Sequence, residues 1–122
     1  MKLRAYTRVD RGVAVIELMG GILLGDGLSL LREMINSALQ EGYRNILLDL
    51  EEISYIDSAG LGELVSCNAL VHAAGGDLKL VHLQKKIRGL LQITKLITIF
   101  EAFEDETEAL LSFRRANAAP AG

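Results

Sequence analysis

The sequence places a carboxylate beside a hydroxyl where an apolar stretch gives way to a helical pattern. Asp57 and Ser58 follow the apolar run at 45–50 and open a helix predicted over about 58–73. Asp57 is a favoured N-cap, because its side chain accepts hydrogen bonds from free amides of the first turn. Ser58 then lies at the positive end of the helix dipole. On local chemistry alone, capping of the helix is the favoured explanation of the pair, and a hydroxyl presented for modification is the alternative.

Small residues accompany Ser58 along the predicted helix. Gly60 and Gly62 stand in its first two turns, although each costs about 0.5–1 kcal/mol relative to alanine. Close approach by the backbone of another protein would explain both glycines. At about 100° per residue, the helix separates an apolar stripe, which should pack on a sheet, from a small-residue face. The stripe comprises Leu61, Leu64, Cys67 and Val71, and the small-residue face comprises Ser58, Ala59, Gly62, Ser66, Ala69 and Ala73.

Other candidate catalytic or metal-binding groups are dispersed. His72 and His82 stand on different predicted elements without a cysteine or carboxylate at ligand spacing, so no metal site is predicted. A Ser-His-Asp triad is compatible with the order of residues, but the chain lacks a Gly-x-Ser-x-Gly elbow. Asp49, Glu51 and Glu52 fit a solvated strand end rather than a pair of catalytic carboxylates. We therefore predict neither an enzyme nor a bound cofactor.

The patterns that must position Ser58 alternate between strands and helices. Period-two and continuous apolar runs predict strands at 3–9, 13–19, 45–50, 77–83 and 97–100, and helical spacing predicts helices at 28–40, 58–73, 85–91 and 105–115. The fold class is therefore α/β, with a mostly parallel central sheet of about five strands, an initial hairpin and about four helices. We expect one domain over residues 1–115 and a flexible tail at 116–122.

Composition narrows the functional classes. The chain has 122 residues, 50% of them hydrophobic, and a net charge of −3, which argues against a general nucleic-acid binder. A single cysteine excludes an internal disulfide and fits a reducing compartment. The N-terminal residues lack the apolar core of a signal peptide, and no apolar run approaches the length of a membrane span. We expect a cytoplasmic protein that does not insert into a membrane.

The segment from Asp57 to Gly62, Asp-Ser-Ala-Gly-Leu-Gly, carries a family resemblance. Preceded by Ile56 and a buried-type strand, it resembles the signature of the STAS-domain anti-sigma-factor antagonists, and the resemblance extends from about residue 3 to residue 113. The resemblance implies that Ser58 is phosphorylated by a partner anti-sigma factor that is itself a serine kinase. The unphosphorylated chain would bind that kinase and release a sigma factor, and a serine phosphatase would reset the switch.

The resemblance and the small-residue face together predict a partner-binding surface. It includes the start of the Ser58 helix and the glycine-rich turn at 20–27. Asp57 would cap the helix and also orient the serine or contact the kinase. The predicted partner-binding residues are Asp57, Ser58, Ala59, Gly60, Gly62, Ser66 and Asp26.

Two other functions fit a domain of this kind. One is a cytoplasmic accessory subunit of a membrane transporter, such as a lipid-trafficking ABC system. The other is a subunit of a larger signalling assembly built from STAS domains. Ala69, Leu70 and Ala73 would support self-association in that case, so a homodimer is an open alternative.

Overall fold

Five strands form one mixed sheet in the computed structural model, which describes residues 2–117, the last four as backbone only. The strands are β1 (Arg4–Asp10), β2 (Val13–Ile22), β3 (Asn45–Ile56), β4 (Asp77–Val81) and β5 (Glu101–Phe103). They lie side by side in sequence order. The β1–β2 pair is an antiparallel hairpin, and the other neighbours are parallel. The predicted sheet, with its initial hairpin, is confirmed.

Four α-helices connect or follow the parallel strands. They are α1 (Asp26–Gln40), α2 (Ser58–Ala73), α3 (Lys85–Ile93) and α4 (Glu106–Asn117). The predicted bounds of α2 are confirmed at both ends. Among residues 2–117, no helix combines the length and the apolar character needed to cross a bilayer.

The last strand lies later than predicted. The strand expected at 97–100 is wrong, because Leu96–Thr98 forms a short 3-10 helix and β5 begins only at residue 101. Lys95 adopts a left-handed conformation, with φ of 64°, and ends the helical path of α3. Thr98 Oγ1 then donates a hydrogen bond of 2.8 Å to the Lys95 carbonyl. This local bonding outweighs the strand preference of the β-branched residues.

Both faces of the sheet are covered near its centre, which explains why β3 begins as a continuous apolar run. Ile46 and Leu48 point into the larger core, beneath α1, α2 and α3. Leu47 points the opposite way and packs with residues of α4. β3 also runs six residues beyond its predicted end at residue 50, because its second half pairs with the end of β2. The carboxyl end of β3 therefore delivers Asp57 and Ser58 directly to the start of α2.

The predicted tail falls largely beyond the structure. The backbone of α4 continues to Asn117, and residues 118–122 lie outside the described residues. The domain boundary at 115 stays a prediction.

Candidate functional site

Asp57 connects the start of α2 to the loop after β2 through hydrogen bonds. Its Oδ1 accepts a hydrogen bond of 2.8 Å from the Gly60 amide, as an N-cap should, and its Oδ2 accepts one of 3.0 Å from the Leu24 amide in the loop after β2. The Asp57 amide in turn donates to the Ile22 carbonyl at 3.3 Å. These bonds, led by the one from Leu24, hold the pKa of Asp57 below its usual range because they stabilise the carboxylate.

Ser58 is the first residue of α2 and is exposed. It therefore presents its hydroxyl at the positive end of a 16-residue helix. Within the same turn, the Leu61 amide donates to the Asp57 carbonyl at 2.9 Å, and the Gly60 amide is held by the Asp57 carboxylate. Hydrogen bonds to Asp57 therefore fix the first turn of α2, and Ser58 is exposed on this turn.

The two glycines near Ser58 differ in role. Gly60 is buried, and a Cβ added there would overlap the Ile22 carbonyl oxygen at the end of β2. The expectation that Gly60 forms part of the bare surface is therefore wrong, since its missing side chain lets α2 approach the sheet. Gly62 is exposed, and a Cβ there would meet nothing within 4 Å. Of these two glycines, Gly62 is the one that leaves open space at the surface.

The small-residue face of α2 is confirmed as exposed beyond Ser58. Gly62 and Ser66 continue from Ser58 along one side of the helix, with Ser66 about 12 Å farther along the axis at 1.5 Å per residue. Ala59 is half-buried. The apolar stripe is confirmed as the buried side, and its members are Leu61, Leu64, Cys67 and Val71.

Asp26 lies on the far side of the loop that Asp57 fixes. It is the first residue of α1 and is exposed, two positions beyond Leu24. The structure thus brings the 20–27 turn to the start of α2 through the hydrogen bond between Leu24 and Asp57. Leu24 is 78% exposed and adds an apolar side chain at this surface. The fold therefore joins the two segments predicted to form one surface, with Asp26 at its margin.

A charged pair borders the small-residue face and was not predicted. Arg32 of α1 makes two hydrogen bonds to the Glu63 carboxylate of α2, at 2.8 and 3.1 Å. Cys67 lies beneath, with its Sγ 3.5 Å from Glu63 Oε2. Burial, with the nearby Glu63 carboxylate, raises the pKa of the Cys67 thiol to about 12. Cys67 is therefore a core residue, as its place in the apolar stripe predicted.

Tyr55 and Lys86 form a second unpredicted feature near Ser58. Tyr55 is 55% exposed, although it lies only two positions before the N-cap. The Lys86 ammonium of α3 lies 5.3 Å from the centre of the Tyr55 ring, within range of a cation–π contact. Strand alternation, with buried Ile56 next to Tyr55, is the signal that would have placed this ring outward.

Both histidines contact carboxylates away from Ser58. His82 Nδ1 lies 3.1 Å from Asp49 Oδ1, and His72 Nε2 lies 3.9 Å from Asp77 Oδ1. Neither histidine has a carboxylate at ligand spacing in the sequence, and His82 meets Asp49 only because parallel pairing of β3 and β4 brings distant residues together. Each imidazole is thus engaged by a different carboxylate rather than placed as a base for the serine.

Asn68 interrupts the apolar stripe without an evident purpose. Its Oδ1 is buried and accepts no hydrogen bond within the described part of the chain. The structure offers no physical account of this residue.

Comparison with known proteins places the geometry in a family. The family model described as "STAS domain" matches residues 5–109. An anti-sigma F factor antagonist of Paenibacillus polymyxa is 26% identical over 111 residues, which cover 90% of this chain and 94% of that protein.

Solved structures share the fold. TM1081 of Thermotoga maritima has a TM-score of 0.82 at 24% identity, covering 91% of this chain and 95% of that one. The Bacillus cell fate determinant SpoIIAA, in its phosphorylated form, has a TM-score of 0.68 at 23% identity, and the match covers 89% of this chain and 98% of that one. Because the family model spans most of the sequence and the relatives are antagonists of this kind, the chain belongs to the STAS domain family, among the anti-sigma factor antagonists.

Proposed function

We propose that phosphorylation of Ser58 switches off the binding of this chain to an anti-sigma factor that is a serine kinase. The observation that carries the proposal is the position of Ser58, exposed as the first residue of α2 and beside the Asp57 cap. In the unphosphorylated state the chain binds the kinase and frees a sigma factor, and a serine phosphatase restores that state. The structural neighbour SpoIIAA has been solved in a phosphorylated form, which supports the proposal that this chain is also phosphorylated.

The proposed contact surface combines three features of the site. Ser58, Gly62 and Ser66 supply an exposed face without bulky side chains, so a partner backbone can approach closely. Leu24 supplies an exposed apolar side chain, and its amide bond to Asp57 holds the loop beside the helix start. Asp57 acts by fixing this geometry, because both of its carboxylate oxygens are occupied by backbone amides.

A phosphate on Ser58 changes charge without requiring a new fold. It adds about −1.5 to −2 charges at pH 7. The free chain tolerates that charge because a helix N-terminus favours anions. In the complex, a partner covering Ser58 must strip water from the phosphate and leave it without a cationic partner. A hundredfold loss of affinity requires only about 2.7 kcal/mol, so this local change is sufficient.

The test uses wild type, Ser58→Ala and Ser58→Glu as baits in a lysate of the native host. Wild type and Ser58→Ala should retain a kinase of the anti-sigma type, and Ser58→Glu should not. Titration with the purified kinase should then show at least about a hundredfold weaker binding of the chain phosphorylated on Ser58. Mass spectrometry after incubation with kinase and ATP should place the phosphate on Ser58.

A second exposed serine provides the matched control. Ser37 lies in the last turns of α1, so Ser37→Glu adds the same charge away from the proposed surface and should bind like wild type. Equal kinase binding by Ser58→Ala and Ser58→Glu would contradict the switch. Transporter subunits retained equally by every bait would instead assign the chain to the class of transporter accessory subunits. Ser58 would then have only a structural role at the start of α2.

A further inference from the structure

One face of the sheet is only partly covered by α4. The buried residues of α4 pack against Val13 and Val15 of β2 and Leu47 of β3. Because side chains alternate along a strand, the next residues on this face are Glu17 and Asp49, which pair across the two strands. The apolar packing under α4 thus gives way to a polar surface on the same face.

A β-bulge sets the direction of the carboxylates on this surface. Glu17 pairs with Asp49, whereas Met19 pairs with Glu52, so β3 carries one extra residue in this interval. Such a bulge leaves a backbone amide outside the ladder. The Glu51 amide instead donates to Asp49 Oδ1 at 3.0 Å. The bulge and this bond place the Asp49 and Glu51 side chains close together.

His82 joins the two carboxylates from the neighbouring strand. It follows β4 in a left-handed conformation, with φ of 61°, and its amide donates to the Phe103 carbonyl at 3.0 Å. The imidazole Nδ1 lies 3.1 Å from Asp49 Oδ1, and these side chains are 26% and 13% exposed. Gln84 Nε2 donates to the Glu51 carbonyl at 2.7 Å, which anchors the turn after His82 to β3. Two residues of β3 and one residue directly after β4 therefore converge at one place.

We propose that Asp49, Glu51 and His82 form a binding site for a divalent transition-metal cation of the Zn²⁺ type. Their ligand atoms lie within 4.8 Å of one another. An imidazole nitrogen with two carboxylate oxygens is a donor set that suits Zn²⁺ and leaves a coordination position for water. The ion lies between His82 Nδ1 and Asp49 Oδ1, and the exposed Glu51 side chain completes the site.

The surrounding charges favour a cation. Glu104 lines the same depression as Glu51 and His82. Glu17 and Glu52 line the adjoining depression with Asp49, and the residues lining both depressions include no lysine or arginine. Arg8 binds Glu17 at 2.8 Å, so one of these carboxylates is already paired. The proposed ligands therefore lie in a region of negative potential, which raises the local concentration of cations.

The site is tested by direct metal binding to the untagged full chain. Equilibrium dialysis against ZnCl₂ should give one Zn²⁺ per chain, and a chelator should remove it. His82→Gln and Asp49→Asn should each lower the affinity by at least about tenfold. Zn²⁺ should also raise the unfolding temperature of wild type, because an ion that binds only the folded state stabilises it. Ser58→Ala should bind Zn²⁺ like wild type, so the result is independent of the proposed switch.

His72 supplies the matched control, because it is an exposed histidine 3.9 Å from the Asp77 carboxylate and belongs to no group of three possible metal ligands among the described residues. His72→Gln should keep full Zn²⁺ affinity. If either strand variant fails to fold, as judged by circular dichroism without metal, the exposed Glu51→Gln replaces it in the comparison. Unchanged Zn²⁺ affinity in His82→Gln would overturn the proposal. Equal binding of Mg²⁺ and Zn²⁺ would overturn it as well, since it would reduce the site to a nonspecific acidic surface.

Discussion

At the scale of single residues, Asp57 has the greatest influence on the candidate site. One carboxylate oxygen caps α2 through Gly60, and the other holds the loop after β2 through Leu24. Removing both acceptors would release the helix start and the loop together. The exposed Ser58 directly follows this cap, which fixes the start of the helix that presents it.

The charge of Asp57 predicts a pH dependence of stability. Because its pKa is lowered in the folded state, it contributes stability above its ordinary pKa of about 4, and that contribution is lost as pH falls through the folded-state value. Asp57→Asn keeps an N-cap acceptor but cannot titrate. The gap in unfolding free energy between wild type and Asp57→Asn should shrink as the pH is lowered from 6 towards 3. A gap that widens on acidification would contradict this assignment.

The two glycines predict opposite effects on stability. Gly60→Ala should destabilise the fold by about 1–3 kcal/mol, because the added Cβ would displace α2 from the Ile22 carbonyl. Gly62→Ala should stabilise it by about 0.5–1 kcal/mol, because the site is open and alanine favours the helix. Urea unfolding followed by circular dichroism measures both variants. Equal losses would mean that the contact with Ile22 does not define the role of Gly60.

At the scale of elements, a buried lysine of β4 helps to hold α4 on one face of the sheet. Lys79 of β4 is 3% exposed, and its ammonium donates to Ser112 Oγ at 2.9 Å. The Glu101 carboxylate lies 3.5 Å from the ammonium, and the ring centres of Phe113 and Phe103 lie at 4.7 and 5.8 Å. The long side chain thus fills space between β4, β5 and α4 while its charge meets oxygens and aromatic faces.

Packing rather than charge should dominate the contribution of Lys79. Lys79→Met keeps the volume and leaves the exposed Glu101 in water, so unfolding free energy should change by less than about 1 kcal/mol. Lys79→Ala should cost about 2–5 kcal/mol, because it leaves a cavity beneath α4. Chemical denaturation of the two variants separates the effects. A Lys79→Met variant as unstable as Lys79→Ala would show that the ammonium itself holds α4.

At the scale of the whole molecule, Cys67 reports on global opening. It is buried in the main core beneath α2, and its pKa is raised to about 12, so the reactive thiolate is scarce near neutral pH. A thiol reagent at pH 8 should therefore label the native chain slowly and the urea-unfolded chain rapidly. The labelling rate should follow the unfolding transition. Rapid labelling without denaturant would reveal local opening of α2.

Local interactions decided what the sequence could predict. The bounds of α2, the Asp57 cap and the exposure of Ser58 depend on residues within about one helical turn. The burial of Leu64 and Cys67 follows from helical periodicity. The succession of strands and helices along the chain also follows from the alternation of patterns.

Only the tertiary structure decided contacts between residues far apart in sequence. The burial of Gly60 depends on where β2 ends, and the bond from Asp57 to Leu24 joins positions separated by 33 residues. The meeting of His82 with Asp49 depends on the register of β3 and β4. Periodicity predicts which side chains share a face of a strand. It does not predict which residues pair with the neighbouring strand, because that register is set by packing of the whole sheet. The sequence alone therefore determined the serine and its helix, and the fold determined what surrounds them.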